Sequence, residues 1–488
     1  MRIVTVSTIC ASAPRGPYAR AVTRPQTAGE RKLRGAFATP PSLVQLVVDH
    51  NMPDVVPGST VRALDPACGD GRFLVAAGLA LRLLGARPEL HGIDIDSAAV
   101  DAAKSALVAS GFEACVEQDD ALRRPWGDAT YDVVIGNPPY LSQMAAATTR
   151  GGASEHGGGP YADACAEFLA LAVRLARPDG GRVALVLPQS ILAARDAGAV
   201  RDEVDRLAEM TWSWWSPHQL FDANVYVCAL GFTRRACGQP GIPTVWPHVV
   251  TAALGVPDFP PLATEGTLGD RATLSADFRD AYYGLVPAVV DAVDEEECGG
   301  RGAAPPLVTS GLVDPGRCRW GERPVRFARR RLQHPRVRLD HLTPTMQRWA
   351  ERLLVPKVLI ANQTRVVEAV ADPGGTWLPG VPLLTARPTD RADVTLVAAV
   401  LTSPVASAWV WHQAAGSGLS ATTVRLGPRW LAGLPWPAGT LQRADEALAG
   451  GDVAACGRHV MEAYALDPST PASAALLSWW IDRLPRHG

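Results

Sequence analysis

Val61-Arg62-Ala63-Leu64-Asp65-Pro66-Ala67-Cys68-Gly69-Asp70-Gly71-Arg72-Phe73 decides the fold. An apolar run stops at Asp65, the chain turns through Ala67, Gly69 and Gly71, and FLVAAGLALRLLG follows with apolar residues at helical spacing. A strand, a glycine turn and a helix in that order form the first half of a βαβ unit, and the glycines let backbone come close to a ligand. Working outward, LHGIDID reads as the next strand and ends at Asp94, 23 residues after Gly71. In sheets of this type a carboxylate about 20 residues past the glycine turn accepts hydrogen bonds from ribose hydroxyls. Asp96 stands directly before SAAVDAAKSALVASG and fits a helix N-cap better. A third acid, in EQDDAL, ends the third strand. Asp120 is the preferred residue to hold an adenine amino group of a nucleoside-type cofactor, and Asp119 is its competitor.

YDVVIGNPP and GRVALVLPQS continue the alternation, with DACAEFLALAVRLARPDGG between them as a helix. The expectation is an α/β chain whose first large domain, residues 31–235, is a Rossmann-like, doubly wound sheet. Residues 1–30 read as a loose polar arm. CGQPGIP, GVPDFPPL and GGRGAAPP mark residues 236–310 as a Pro/Gly-rich linker. Residues 311–488 read as a mixed α+β domain, with strands in PKVLIANQTRVVEAVAD and one helix over DVTLVAAVLTSPVASAWVWHQ.

Asn137-Pro138-Pro139-Tyr140 follows the strand YDVVIG. Proline cannot donate to a ladder, so the strand stops and the loop is stiff, at the sheet edge where open α/β folds bind ligands. Those four residues suit methylation of a planar exocyclic amine. The nitrogen lone pair is delocalised into the ring and becomes available only as the nitrogen turns tetrahedral. The Asn137 carboxamide oxygen and the Pro138 carbonyl can each accept one N–H bond and favour that change, while Tyr140 stacks on the ring. No covalent nucleophile is needed.

With the glycine turn and Asp94 ahead of it, this tetrapeptide resembles the gamma-group N6-adenine DNA methyltransferases of restriction–modification systems, and the motif order agrees over nearly the whole chain. The resemblance implies S-adenosylmethionine as cofactor, held by Asp65, Ala67, Gly69, Gly71, Asp94 and Asp120. It adds Phe37, Thr39 and Pro40 from an upstream cofactor motif in GAFATPP, where Ala38 replaces a common aromatic. It implies that Phe221, in LFDANVYVCALGFTR, packs on a flipped target base; a core phenylalanine ahead of a strand is the alternative. It implies a C-terminal target-recognition domain closing on GPRWLAGLPWP. The partners implied are double-stranded DNA and a separate cognate restriction endonuclease. The Gly-rich TTRGGASEHGGGPYAD reads as a loop closing over DNA or as a surface insertion.

Composition fits this picture. The 488 residues are 47% hydrophobic and 20% charged, a globular balance with room for two domains. No apolar run reaches the roughly 18 residues of a membrane span. Nine cysteines lie scattered, with no spacing for structural zinc. A cytoplasmic protein with no metal is expected. Net charge is −2, yet Arg317–Arg365 holds thirteen basic and three acidic residues, a local +10. Such a segment suits a phosphate backbone, or is a solvated arginine-rich face. Arg330, Arg331 and Lys357 are the candidate phosphate contacts, and Gln363 and Arg365 the candidate base readers.

Rival readings differ in identifiable residues. A protein-glutamine methyltransferase uses the same tetrapeptide but resembles shorter chains without some 250 residues behind the catalytic domain. An RNA-base methyltransferase and a catalytically idle DNA-binding subunit of a defence complex are the others. Cytosine C5 chemistry wants a Pro-Cys nucleophile, absent here, and cytosine N4 enzymes carry Ser where Asn137 stands. No carboxylate cluster with a nearby lysine outside these motifs suggests a nuclease.

Overall fold

The computed structural model describes residues 2–3, 38–128, 130–140, 156–159, 162–221, 225–276, 279–293 and 304–485. Internal contacts divide the chain into two units, Met1–Val249 and Val250–Gly488.

Among its described residues the first unit is built on eight strands. They are β1 (Arg2–Ile3), β2 (Thr60–Asp65), β3 (Arg87–Asp94), β4 (Ala114–Gln118), β5 (Val133–Gly136), β6 (Arg182–Pro188), β7 (Ala208–Trp215) and β8 (Val227–Arg234). They form one sheet in the order β4-β3-β2-β5-β6-β8-β7-β1. All neighbours pair in parallel except β8, which is antiparallel to β6 and β7. Parallel strands covered on both faces read as continuous apolar runs, and every residue of β5 is buried. Of the expected arm at 1–30, Arg2 and Ile3 are the described residues; they pair with Trp212 and Ser213.

Helices α1 (Pro41–Asn51), α2 (Arg72–Leu83) and α3 (Ser97–Ala109) share one apolar cluster with alternate strand residues, among them Ala63, Val133, Ile135, Ala184 and Val186. Helix α4 (Ala164–Leu175) packs on β5 and β6 and contributes nothing to that cluster. Helices on both faces make the sheet doubly wound, the architecture that the alternation of residues 60–235 predicts. The β7–β8 pair is an addition. Its signal was the alternation Ala-Glu-Met-Thr-Trp-Ser in β7, the period of a strand.

The second unit holds a four-stranded antiparallel sheet in the order Ala272–Ala276, Leu384–Pro388, Lys357–Ile360, Ala369–Asp372. Residues 236–310, read from sequence as linker, therefore supply a strand of this sheet, Ala272–Ala276, and a capping box joins Thr267 to Asp270 ahead of it. Proline clusters bound these elements without replacing them. The apolar stretch 393–414 is two helices, Val394–Leu401 and Pro404–Ala414, bent by 72°. Ser403 caps the second through the Ala406 N–H and Pro404 opens it, and a proline there cannot extend a preceding helix. No single helix among the described residues is long and apolar enough to cross a membrane.

Asp96 caps α3, its side chain accepting from the Ala98 N–H at 3.1 Å. Asp96→Ala is expected to lose about 1 kcal/mol of stability, read as a lower urea midpoint at unchanged slope; an unchanged midpoint contradicts the cap.

Candidate active site

Strands β2 and β5 lie side by side and end together, Leu64 opposite Val134. The strand order reverses here, so their carboxyl ends open a crevice. Asp65 stands on one lip. Its carboxylate accepts the Ala67 N–H at 3.1 Å and is almost wholly buried. It lies against Gly136, where any Cβ would collide with it. Burial, with Asp94 and Asp70 adding repulsion against a backbone hydrogen bond, pushes its pKa up to about 8.

The turn after Asp65 is shaped by its glycines. Gly71 has φ +78°, and a Cβ on it would lie 3.0 Å from the Ala103 Cα, so α2 and α3 approach closely because no side chain intervenes. Gly69 has φ +52° and faces open space, with nothing within 4 Å of a Cβ position. Its N–H donates to Asp94 Oδ2 at 2.8 Å, while Asp94 Oδ1 accepts the Asp96 N–H at 2.9 Å. Asp94 thus ties the loop to the end of β3, and the cap of α3 falls to Asp96 as its position in sequence suggests. At the end of β4, Asp119 accepts the Asp120 N–H and Asp120 accepts the Leu122 N–H. Each also has an arginine within 4 Å, Arg124 and Arg123 respectively.

On the other lip, Asn137 follows β5 directly. Its Nδ2 donates to Thr39 Oγ1 at 2.9 Å. Its Oδ1 accepts the Tyr140 hydroxyl, which also approaches the Val186 carbonyl at 3.2 Å. Pro138 is buried and Pro139 half-buried. The ring of Tyr140 lies 6.2 Å from that of Phe221, tilted by 58°. Phe221 is 9% exposed and belongs to the core cluster. Burial raises the Tyr140 pKa well above the usual tyrosine range. Thr39 is joined to the glycine turn from its other side. Its carbonyl accepts from Arg72, and Arg72 Nε donates to Asp70 Oδ1 at 2.8 Å. Arg72 and Asp70 were not singled out from the sequence; their only signal was adjacency to Gly71. Pro40 is the N-cap residue of α1. Phe37 and most of the Gly-rich stretch after Tyr140 lie outside the described residues.

In the second unit the arginine-rich segment separates into two kinds of residue. Arg319 and Arg323 both bind Asp314, Arg317 binds Glu322, and Arg338 binds Asp340. Arg336 is buried and donates to the Ala292 and Ala304 carbonyls. Lys357 does not meet solvent. It is 0% exposed and paired with Asp372 at 2.6 Å, which removes it from the candidate phosphate contacts. Its antiparallel register sets it directly opposite Asp372, and a buried ammonium is tolerated only beside such a partner. Arg330 and Arg331 lie in the hairpin Val325–Phe327 with Arg330–Leu332, along with exposed Arg326 and Arg329. Arg326, Arg329, Arg330 and Arg331 have no ion-pair partner among the described residues. Gln363 and Arg365 line one cavity of about 590 Å³ together with Thr364, Glu368 and Arg483. Gln363 Nε2 and Thr364 Oγ1 there have no hydrogen-bond partner among the described residues, and burial raises the Glu368 pKa to about 7.

The Asp65 shift has a measurable sign. A carboxyl with an unfolded pKa near 4 and a folded value of about 8 holds its proton better in the folded state. Stability therefore falls as pH rises between those values. Relative to Asp65→Asn, the thermal midpoint of the unaltered protein should decline from pH 5 to pH 8; parallel curves would show that Asp65 is ionised throughout.

Residues 24–207 match the family described as N-6 DNA Methylase. The chain is 38% identical over 115 residues to the Type I restriction enzyme MjaIX methylase subunit of Methanocaldococcus jannaschii, covering 23% of this chain and 20% of that one. It is 28% identical over 205 residues to the Type II methyltransferase M.TthHB8I of Thermus thermophilus, covering 37% and 41%. The chain thus spans less than half the length of these relatives. Among solved structures, the Type I restriction enzyme EcoKI M protein aligns at TM-score 0.35 and 18% identity, over 43% of this chain and 46% of that one. The type IIG restriction endonuclease BpuSI aligns at TM-score 0.39 and 12% identity, over 94% and 67%. Residues 24–207 of this chain are thus similar to the N-6 DNA Methylase family.

Proposed function

We propose that this chain methylates N6 of adenine in duplex DNA, using S-adenosylmethionine, as the modification enzyme of a restriction–modification or phage-defence system. The observation that carries the reading is the position of the Asn137 carboxamide at the carboxyl end of β5, beside the end of β2. The residues present fit the cofactor. Gly69 offers open backbone beside Asp94, and a side chain at Gly71 would push α2 away from α3. Asp94 would accept from the ribose, Asp120 or Asp119 from the adenine amine, and Asp65, Ala67 and Pro40 would wall the site. When bound, S-adenosylmethionine supplies an electrophilic methyl on sulfonium sulfur.

The protein groups do the rest. An adenine inside a duplex is stacked, so it has to be turned out, at a cost of a few kcal/mol. Stacking on Tyr140 would return about 1–3 kcal/mol, while Phe221 sits in the core against the Tyr140 ring, as the core-phenylalanine alternative has it. Tyr140 gives up its bond to Asn137 when the target amine arrives, and its ring turns to meet the base. Asn137 Oδ1 and the Pro138 carbonyl then accept the two N–H bonds as the nitrogen becomes tetrahedral. The stiff loop holds the Pro138 carbonyl in place, so the reorganisation left falls on Tyr140.

In the second unit, Arg326, Arg329, Arg330 and Arg331 suit phosphates, and Gln363 and Arg365 suit base edges at their shared cavity. A cognate endonuclease would be a separate chain.

Two experiments test the reading. Long-read sequencing of DNA from cells expressing the chain should find N6-methyladenine at one motif, and none with Asn137→Ala, while that variant keeps cofactor and DNA affinity. Methylation of protein or RNA in place of DNA, or full turnover by the variant, would refute it. Replacing Arg330 and Arg331 by alanine should weaken all DNA sequences alike and flatten the salt dependence by a slope of about one per lost phosphate contact; an unchanged slope would take the hairpin off the DNA.

A further inference from the structure

A carboxamide has two ends of nearly the same shape and opposite hydrogen-bonding sense. Its terminal torsion is broad and roughly two-fold, so nothing in the side chain itself selects one end. Partners must do so: at Asn137, Thr39 Oγ1 stands at the nitrogen end, 2.9 Å from Nδ2, and the Tyr140 hydroxyl at the oxygen end. Thr39 is well fixed. It is 2% exposed, it precedes Pro40 and Pro41 at the start of α1, and α1 packs on α2, β6 and β8 with Val47 and Val48 fully buried. Its carbonyl accepts from Arg72, which is held in turn by Asp70 of the glycine turn. A chain of hydrogen bonds therefore runs from the glycine turn through Asp70, Arg72 and Thr39 to Asn137, and on to Tyr140.

We propose that Thr39 is a positioning residue for methyl transfer: its hydroxyl takes the nitrogen end of the Asn137 carboxamide and so presents the oxygen end to the target amine. This rests on the reading of Asn137 as the acceptor for that amine. It gives Thr39 a task different from the cofactor contact that family resemblance implies, and the two tasks separate kinetically. A group that orients the acceptor acts on the rate at saturation. A group that binds the cofactor acts on cofactor affinity.

The test uses the full chain with Thr39→Val, which keeps the branched shape and removes the hydroxyl, and Thr39→Ser, which keeps the hydroxyl. S-adenosylmethionine binding is measured by calorimetry. Single-turnover methylation of DNA is measured at saturating cofactor and DNA. The expected result is a rate at least about tenfold lower for Thr39→Val, a cofactor Kd within about threefold of the unaltered protein, and a Thr39→Ser rate near the original. An unchanged saturated rate in Thr39→Val overturns the proposal while leaving the adenine-methylation reading intact. So does a Kd raised in proportion to the loss of activity at low cofactor, and so does a Thr39→Ser variant as slow as Thr39→Val. If the unaltered protein binds cofactor and methylates no DNA, the reading of Asn137 fails and the proposal fails with it.

Discussion

Parallel pairing of β2 with β5 is the constraint on which the rest of the first unit depends. The chain winds away from the two strands in opposite directions, so the residues that directly follow them share the space past their ends. Asp65 and the glycine turn follow one strand; Asn137 and its prolines follow the other. The fit is tight enough that the last residue of β5 has to be Gly136, because the Asp65 carboxylate already fills the space a side chain would take. A carboxylate stored there loses its water, and its raised pKa records that loss.

Much of this was legible in the sequence, for a physical reason. Strands buried on both faces carry unbroken apolar runs, and helices laid on them carry apolar residues every three or four positions. Those local patterns survive into the folded chain as β2, β3, β5, β6 and α2–α4. Asp94 and Asp96 could be told apart because a cap has to stand directly before its helix. What was not legible depends on partners distant in sequence. Lys357 looks like any surface lysine until its strand is paired, and only the antiparallel register shows Asp372 across from it, with both groups buried. The segment 236–310 reads as linker because proline and glycine dominate short windows of it, whereas its strand Ala272–Ala276 is completed by Leu384–Pro388, more than a hundred residues on. The bond between Thr39 and Asn137 joins residues 98 apart; a motif places each of them separately and says nothing of the contact.

Charge counting shows the same limit in another form. The +10 of Arg317–Arg365 is correct as arithmetic, yet Asp314 lies just outside that window and binds two of its arginines, and the Arg336 guanidinium is spent on backbone carbonyls. Of the cations left over, Arg326, Arg329, Arg330 and Arg331 share one hairpin, and Arg330 also donates to the Val289 carbonyl. Arg326 and Arg331 face each other across it, which is unfavourable for like charges. Its tip, Ala328 and Arg329, takes positive φ at two non-glycine positions. Such a conformation costs energy in an L-residue.

Tyr140 resting on the Asn137 acceptor has a thermodynamic corollary. Its hydroxyl stays protonated across the pH range in which proteins survive, because burial lifts its pKa so far. The contact therefore cannot be released by ionisation. The Asn137 oxygen has two lone pairs, and the phenol engages one of them. Occupancy of the acceptor is then governed by the packing around Asn137 and Tyr140, and pH acts on it only through other groups.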